Sequence, residues 1–97
     1  MSVENLKRLL AERHLLGDVE RIARDHHVTV DDMLRGSRGK TVWVHTRARD
    51  AAMAHFRREL DMSTPDIGRL FGRHHTTVVR ALERVRGRES LAEVMAR

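Results

Sequence analysis

The chain of 97 residues contains no cysteine, a single proline and few aromatic side chains. The lack of cysteine excludes disulfides and thiolate metal sites and fits a reducing compartment. Trp43, Phe56 and Phe71 are too few for a single-strand platform, on which bases stack against exposed rings. No apolar run approaches the roughly 18 residues of a membrane span, and no signal-peptide pattern opens the chain. We therefore expect one small cytoplasmic domain (1–97) with no membrane partner.

The basic residues are in excess, and they are unevenly placed. The 19 Lys+Arg against 14 Asp+Glu give a formal charge of +5. Residues 1–34 carry five basic and seven acidic side chains, whereas residues 35–97 carry 14 basic and seven acidic ones, a net charge of +7. A surplus of this sign usually indicates a polyanionic partner. We therefore expect the binding face after Leu34.

Apolar residues recur every three or four positions, which is the spacing of helices that bury one face. No stretch alternates as a half-buried strand would, so we predict an all-α fold, a small bundle of about six helices. Gly17 is expected to end the first helix, and Ser90 to cap a separate last one. The predicted segments are residues 1–16, 18–26, 28–34 (a cap and a short helix), 46–60, 63–71, 75–86 and 87–97.

The predicted helices have apolar faces that define a candidate core. The first helix has a stripe that either packs on the core or forms the seam of a homodimer: Val3, Leu6, Leu9 and Leu10. The fourth helix has a second stripe: Ala48, Ala52, Phe56 and Leu60. The core face of the segment 75–86 consists of Val78, Ala81, Leu82 and Val85. Trp43 follows a glycine-rich basic stretch, and we interpret it as core or as a clamp on that stretch, with stacking on DNA as the alternative.

The segment 63–86 has the pattern of a helix-turn-helix. Ser63 is a helix cap, Pro65 stands in the first turn, and Gly72 follows the last apolar residue of a short helix. A longer helix comes next, and in this motif the second helix enters the major groove of DNA. The alternative is an ordinary helical hairpin with a solvated arginine face.

The same residues resemble a known family. The run S-T-P-D-I-G-R-L-F-G-R-H-H-T-T-V at 63–78 resembles the pattern S-L-P-E-I-G-x-x-F-G-G-R-D-H-T-T-V of the C-terminal DNA-binding domain of the bacterial replication initiator DnaA. Residues 51–60 resemble the A-M-Y-L-x-R-E-L helix of that family, and residues 28–34 its V-x-V-x-D-L-L turn. The resemblance covers residues 18–86 and leaves 1–16 outside.

The resemblance implies double-stranded DNA as the partner, with a recognition helix in the major groove and a basic loop (35–49) in the adjacent minor groove. It implies base contacts from Arg73, His75 and Thr76, and phosphate contacts near Thr77 and Arg80. Thr64 and Pro65 match a helix start that approaches the groove, and Arg58 matches a residue that contacts the backbone. The loop supplies four further candidates: Arg38, Lys40, Arg47 and Arg49.

Three departures from the family pattern bear on sequence preference. His74 stands where the family has an acidic residue that accepts a hydrogen bond from cytosine, and an imidazole does not reproduce that contact. The turn has one glycine, Gly72, where the family has two. Arg80 replaces a common histidine. We therefore predict an altered preferred sequence with retained docking geometry.

Other chemistries find no support in the sequence. The run Gly39-Lys40-Thr41 ends like a phosphate loop, but Leu34 occupies the position of the required first glycine, and no strand precedes it. We therefore expect no nucleotide. The seven histidines lack metal-ligand spacing, and no nucleophile stands with a base. We expect no metal, no cofactor and no enzymatic activity.

The sequence thus predicts a sequence-specific DNA-binding regulator of replication or transcription without an ATPase, either free-standing or a separated domain. We expect it in the bacterial cytoplasm, associated with the nucleoid. One alternative is a protein-interaction module whose acidic first third binds a replication protein. Another is an accessory DNA-targeting module of a phage or mobile element.

Overall fold

Helices account for most of the chain in a computed structural model, which describes residues 2–35 and 42–97, the side chain of Val42 excepted. The described residues contain six helices and no strand, so the predicted all-α fold is confirmed. The helices are α1 (Val3–Glu12), α2 (Leu16–Asp25), α3 (Val30–Arg35), α4 (Val42–Glu59), α5 (Thr64–Phe71) and α6 (His75–Met95).

Side-chain caps fix the starts of three helices, as the sequence predicts. The Ser2 hydroxyl accepts a hydrogen bond from the backbone N–H of Asn5 at 3.2 Å, and Thr29 accepts one from Asp32 at 3.0 Å. Ser63 caps α5 in the same way. Each cap satisfies a backbone donor that the first helical turn leaves without an intrahelical partner.

The core lies where α4, α5 and α6 meet, and α1 to α3 cover it. The rings of Phe56 and Phe71 lie 5.8 Å apart at its centre. Leu6 and Leu10 of α1 are buried in the same cluster, and Val3 and Leu9 pack against it. The apolar stripe of α1 therefore packs on the core, which answers the question that the sequence left open.

The boundary between α1 and α2 differs from the prediction. Gly17 lies in the first turn of α2 and does not end α1. The break falls earlier, at Arg13 and His14, where His14 adopts the left-handed conformation with φ of 60°. A backbone reversal at a non-glycine residue gives no signal in composition, which explains the error.

Helix α4 begins at Val42, four residues before the predicted start. The predicted basic loop 35–49 is therefore wrong in its second half, which is helical. Trp43 lies in the first turn of α4 and is 60% exposed, so its interpretation as a core residue is wrong. Among the described side chains of α4 the first buried one is Ala48, and Trp43 stands more than one turn before it, at the exposed start of the helix. Leu60, at the other end, is beyond the helix and exposed.

Helix α6 runs without interruption through 21 residues. The predicted separate helix after Ser90 is wrong, because Gly87 and Ser90 both lie inside α6. One interior glycine costs a helix about 1 kcal/mol, which the flanking Glu, Arg, Leu and Ala residues offset through their high helix propensity. Of the predicted core face of α6, Val78 and Ala81 are buried, whereas Leu82 and Val85 are only partly covered.

Candidate nucleic-acid interface

The turn between α5 and α6 has a tightly packed backbone. Gly72 adopts the left-handed conformation with φ of 64°, and the N–H of Arg73 donates to the carbonyl oxygen of Gly68 at 2.8 Å. A Cβ atom on Gly68 would lie 2.5 Å from the carbonyl oxygen of Arg73. Only glycine at position 68 allows this approach, which fixes the start of α6 against α5.

His74 caps α6. Its Nδ1 accepts a hydrogen bond from the backbone N–H of Thr76 at 3.2 Å. The ring lies 4.2 Å from the ring of His75. The sequence predicts His74 only as part of the DNA face, and its role as a helix cap is an additional finding of the structure. Its position directly before a helical run was the available signal, although histidine is not among the preferred capping residues.

The first two turns of α6 present a polar surface. His74, His75, Thr76 and Arg80 are exposed, while Arg73 and Thr77 are half-buried. At the start of α5, Pro65 is exposed and Thr64 is half-buried. The helix-turn-helix unit therefore brings together the predicted residues of segment 63–80. We call the exposed surface of residues 73–80 the recognition surface.

A buried carboxylate connects α4 to α6 beyond the recognition surface. Asp50 is 1% exposed, and both of its oxygens accept hydrogen bonds from Arg84 at 2.9 Å. Arg88 adds a third bond at 3.0 Å. The hydrogen bonds from Arg84 to Asp50 raise the pKa of the Arg84 guanidinium further above its usual value. We call these three residues the Asp50 clamp, which the sequence analysis did not find.

Two predicted DNA-contacting arginines have partners within the protein. Arg49 donates to the carbonyl oxygen of Met33 at 2.8 Å; burial lowers the pKa of its guanidinium, and the nearby charge of Arg73 lowers it further. Arg58 forms a two-point ion pair with Glu89 at 2.7 Å. That pair raises the pKa of Arg58 and lowers the pKa of Glu89.

The remaining predicted residues divide into two groups. Arg47 is exposed on α4, one turn after Trp43. Arg38 and Lys40 lie outside the described residues.

Among the residues that the structure describes, no three His, Asp or Glu side chains are grouped as a metal site would require. Within residues 2–35 and 42–97, no helix combines the length and the hydropathy of a membrane span.

The packing of α5 against α6, with a polar start to α6, defines a helix-turn-helix protein. Residues 19–85 match the family described as bacterial dnaA protein helix-turn-helix. The chain belongs to this family, which confirms the resemblance. The chromosomal replication initiator protein DnaA of Bdellovibrio bacteriovorus is 34% identical over 101 residues, which cover 97% of this chain and 21% of that protein. The chain thus spans about a fifth of the length of this relative. No solved structure matches this chain.

Proposed function

We propose that this protein binds double-stranded DNA in a sequence-specific way, with the recognition surface of α6 in the major groove. The observation that carries this proposal is the polar, exposed start of α6, held in place by the contact between Gly68 and Arg73. A helix-turn-helix reads base edges with the N-terminal residues of its second helix. Here the exposed residues of that first turn are His75 and Thr76, with Arg73 just before them.

The roles follow from side-chain chemistry and position. Arg73, His75 and Thr76 would contact base edges, because they open the helix that enters the groove. Thr77, the next residue, and Arg80, one turn after Thr76, would contact phosphates. Thr64 and Pro65 would bring the start of α5 close to the DNA backbone, where the peptide N–H groups of a helix start attract an anion.

Three other candidates differ in how free they are to bind. Arg47 is exposed and available to a phosphate. Arg58 would have to share or leave Glu89, and Arg49 is held by Met33. For Arg38 and Lys40 we keep the role implied by the family resemblance, a contact with the adjacent minor groove.

The proposed biological role is regulation of replication or transcription by DNA binding, in a cytoplasmic, nucleoid-associated setting. We infer no catalytic activity, ATP hydrolysis, nucleotide or cofactor for these residues. The activity of the whole initiator is not transferred to this chain, because the similarity covers 21% of the relative. A homodimer or a replication-protein partner at the N-terminal region remains a separate proposal with weaker support, since the apolar stripe of α1 already packs on the core.

The test of this proposal is selection from a pool of random duplexes, followed by titration of the selected duplex at increasing salt. We expect a preferred sequence and an affinity that falls steeply with salt, because bound arginines release counterions from DNA. Absence of binding to any duplex near physiological salt would contradict the proposal and favour the protein-interaction module.

Arg80→Ala is expected to weaken binding to every duplex alike and to reduce the slope of log K against log salt by about one, since one phosphate contact is lost. Arg97→Ala is the control, because it removes the same charge at the opposite end of α6 and leaves the recognition surface intact. Fluorescence anisotropy with matched and mismatched duplexes measures both. A changed preference in Arg80→Ala would show that Arg80 reads bases.

His75→Ala is expected to act differently from Arg80→Ala. It reduces discrimination between the selected duplex and its mismatched versions by about 1 kcal/mol or more, because a base-edge contact is lost. The salt slope stays close to that of the wild-type protein. Equal loss of affinity for all duplexes would place His75 at the DNA backbone.

His74→Asp is expected to change the preferred sequence, because a carboxylate accepts a hydrogen bond from cytosine whereas the imidazole does not. Aspartate is also a good helix cap, so α6 keeps its start. His74→Asn is the matched control, since it caps the helix without the negative charge. Identical selected sequences for the wild-type and His74→Asp proteins would exclude a role of position 74 in base recognition.

A further inference from the structure

Trp43 is an exposed aromatic side chain that the proposed contacts leave unused. It is 60% exposed in the first turn of α4, and it is the one tryptophan of a chain that has no tyrosine. Covering this ring would be favourable, because burial of its apolar area stabilises a complex and its indole N–H can donate to an acceptor. It therefore calls for a partner.

Trp43 lies on the face of α4 that contacts α6 two turns further along the helix. Asp50 follows Trp43 by seven residues, which is two turns, so both side chains project from the same face of α4. At Asp50 that face contacts Arg84 and Arg88 of α6. Trp43 continues the face toward the start of α4, roughly 10 Å along its axis at 1.5 Å per residue.

The same part of α4 is close to the start of the recognition surface. Asp50 of α4 pairs with Arg84 of α6, and Arg58, further along α4, pairs with Glu89, further along α6. The two helices therefore run in the same general direction, so the N-terminal half of α4 lies toward the start of α6. Arg47, one turn after Trp43, is exposed. An indole and a guanidinium thus lie side by side next to the surface that we assign to the major groove.

We propose that Trp43 and Arg47 contact the sugar-phosphate backbone of the same duplex that the recognition surface reads. The indole ring would pack on a deoxyribose while its Nε1–H donates to a phosphate oxygen, and Arg47 would pair with a neighbouring phosphate. This inference rests on the proposed function, because it places the duplex on α6.

The chemistry favours the duplex backbone over the bases. Bases within a duplex are stacked on one another, and exposing one costs a few kcal/mol. The indole ring lies on a helix that also carries arginine charge. It can therefore contact the anionic sugar-phosphate backbone on the outside of the duplex without the cost of unstacking a base. The contact is therefore independent of sequence, and it adds affinity without discrimination.

The emission of Trp43 reports directly on this contact, because no other tryptophan or tyrosine contributes. The full chain is titrated at low salt with a short mixed-sequence duplex and with a single strand of the same length, and tryptophan emission is followed together with the anisotropy of labelled DNA. We expect the duplex to quench or shift the emission in step with binding.

Two variants separate the ring from the charge. We expect Trp43→Ala to weaken binding to all duplexes by about fivefold, the effect of one lost hydrogen bond with its apolar contact, and to leave the salt slope unchanged. Arg47→Ala should weaken binding and lower that slope by about one, while the emission still responds to DNA. Because both side chains are exposed, the variants should keep the helical circular dichroism of the wild-type protein.

The outcomes distinguish this inference from the proposed function. If the wild-type protein binds no duplex by anisotropy, the proposed function fails and the inference with it. If the wild-type protein binds the duplex while its emission is constant and Trp43→Ala binds equally well, only the inference is overturned. A stronger response to the single strand than to the duplex would also overturn it, in favour of base stacking.

Discussion

Replacement of Asp50 by alanine is expected to destabilise the protein by roughly 3 kcal/mol, the lower end of the range for breaking a buried ion pair. The carboxylate is almost fully buried and accepts three hydrogen bonds, so its removal leaves Arg84 and Arg88 without their partner. The lower end applies because both guanidinium groups retain some exposure and can reach water. Urea unfolding followed by far-ultraviolet circular dichroism measures the loss.

Glu89→Gln is the matched control for the Asp50 clamp. It also breaks a two-point arginine pair between α4 and α6, but Glu89 and Arg58 are both exposed. Exposed ion pairs contribute little to stability because water and salt screen them, so a small effect is expected. Equal effects of Asp50→Ala and Glu89→Gln would show that burial of Asp50 is not what gives the clamp its stabilising effect.

Trp43 is a poor probe of unfolding, because it is already exposed in the folded protein.

Gly68→Ala is expected to destabilise the protein by about 2–3 kcal/mol, the cost of an overpacked contact, and to weaken DNA binding in the variant that remains folded. The added Cβ would lie 2.5 Å from the carbonyl oxygen of Arg73, and backbone atoms cannot yield as a flexible side chain does. The start of α6 must then move away from α5, which shifts the recognition surface. Thermal unfolding and duplex titration measure the two effects.

Gly87→Ala is the control, for which the opposite change in the free energy of unfolding is expected. Gly87 lies within α6, and nothing stands within 4 Å of an added Cβ. Alanine there should stabilise the protein by about 0.5–1 kcal/mol through helix propensity, with unchanged DNA binding. If both substitutions destabilised the protein to a similar degree, the close approach at Gly68 would not be the cause.

The parts of the fold that local signals determine were predictable. Ser63, Pro65 and Gly72 bound α5 as the sequence indicates, because caps and left-handed turns depend on one or two residue types. The buried residues Ala48, Ala52 and Phe56 follow from helical spacing. The helix-turn-helix and the family resemblance both rest on this segment and on its well-defined turn.

The unpredicted features depend on neighbours that are distant in sequence. Asp50 is one of two acids in a basic helix, and its 34-residue separation from Arg84 gives no local signal. Trp43 is of a residue type that is usually buried in a core, but α4 starts earlier than predicted and its first turn leaves Trp43 exposed to solvent. Gly87 and Ser90 look like a helix boundary, yet α6 continues through both. For such positions tertiary contacts or accumulated propensity outweigh the local pattern.

The unbroken course of α6 makes it a rigid rod of about 31 Å at 1.5 Å per residue. The Asp50 clamp holds it near its midpoint, at Arg84 and Arg88, with the recognition surface on one side and the exposed Leu91, Val94 and Met95 on the other. A tilt of about 10° around the clamp would displace the first turn by roughly 2 Å, with the last turn moving in the opposite direction. The two ends of the rod are therefore mechanically coupled, so a load on the far end would move the recognition surface.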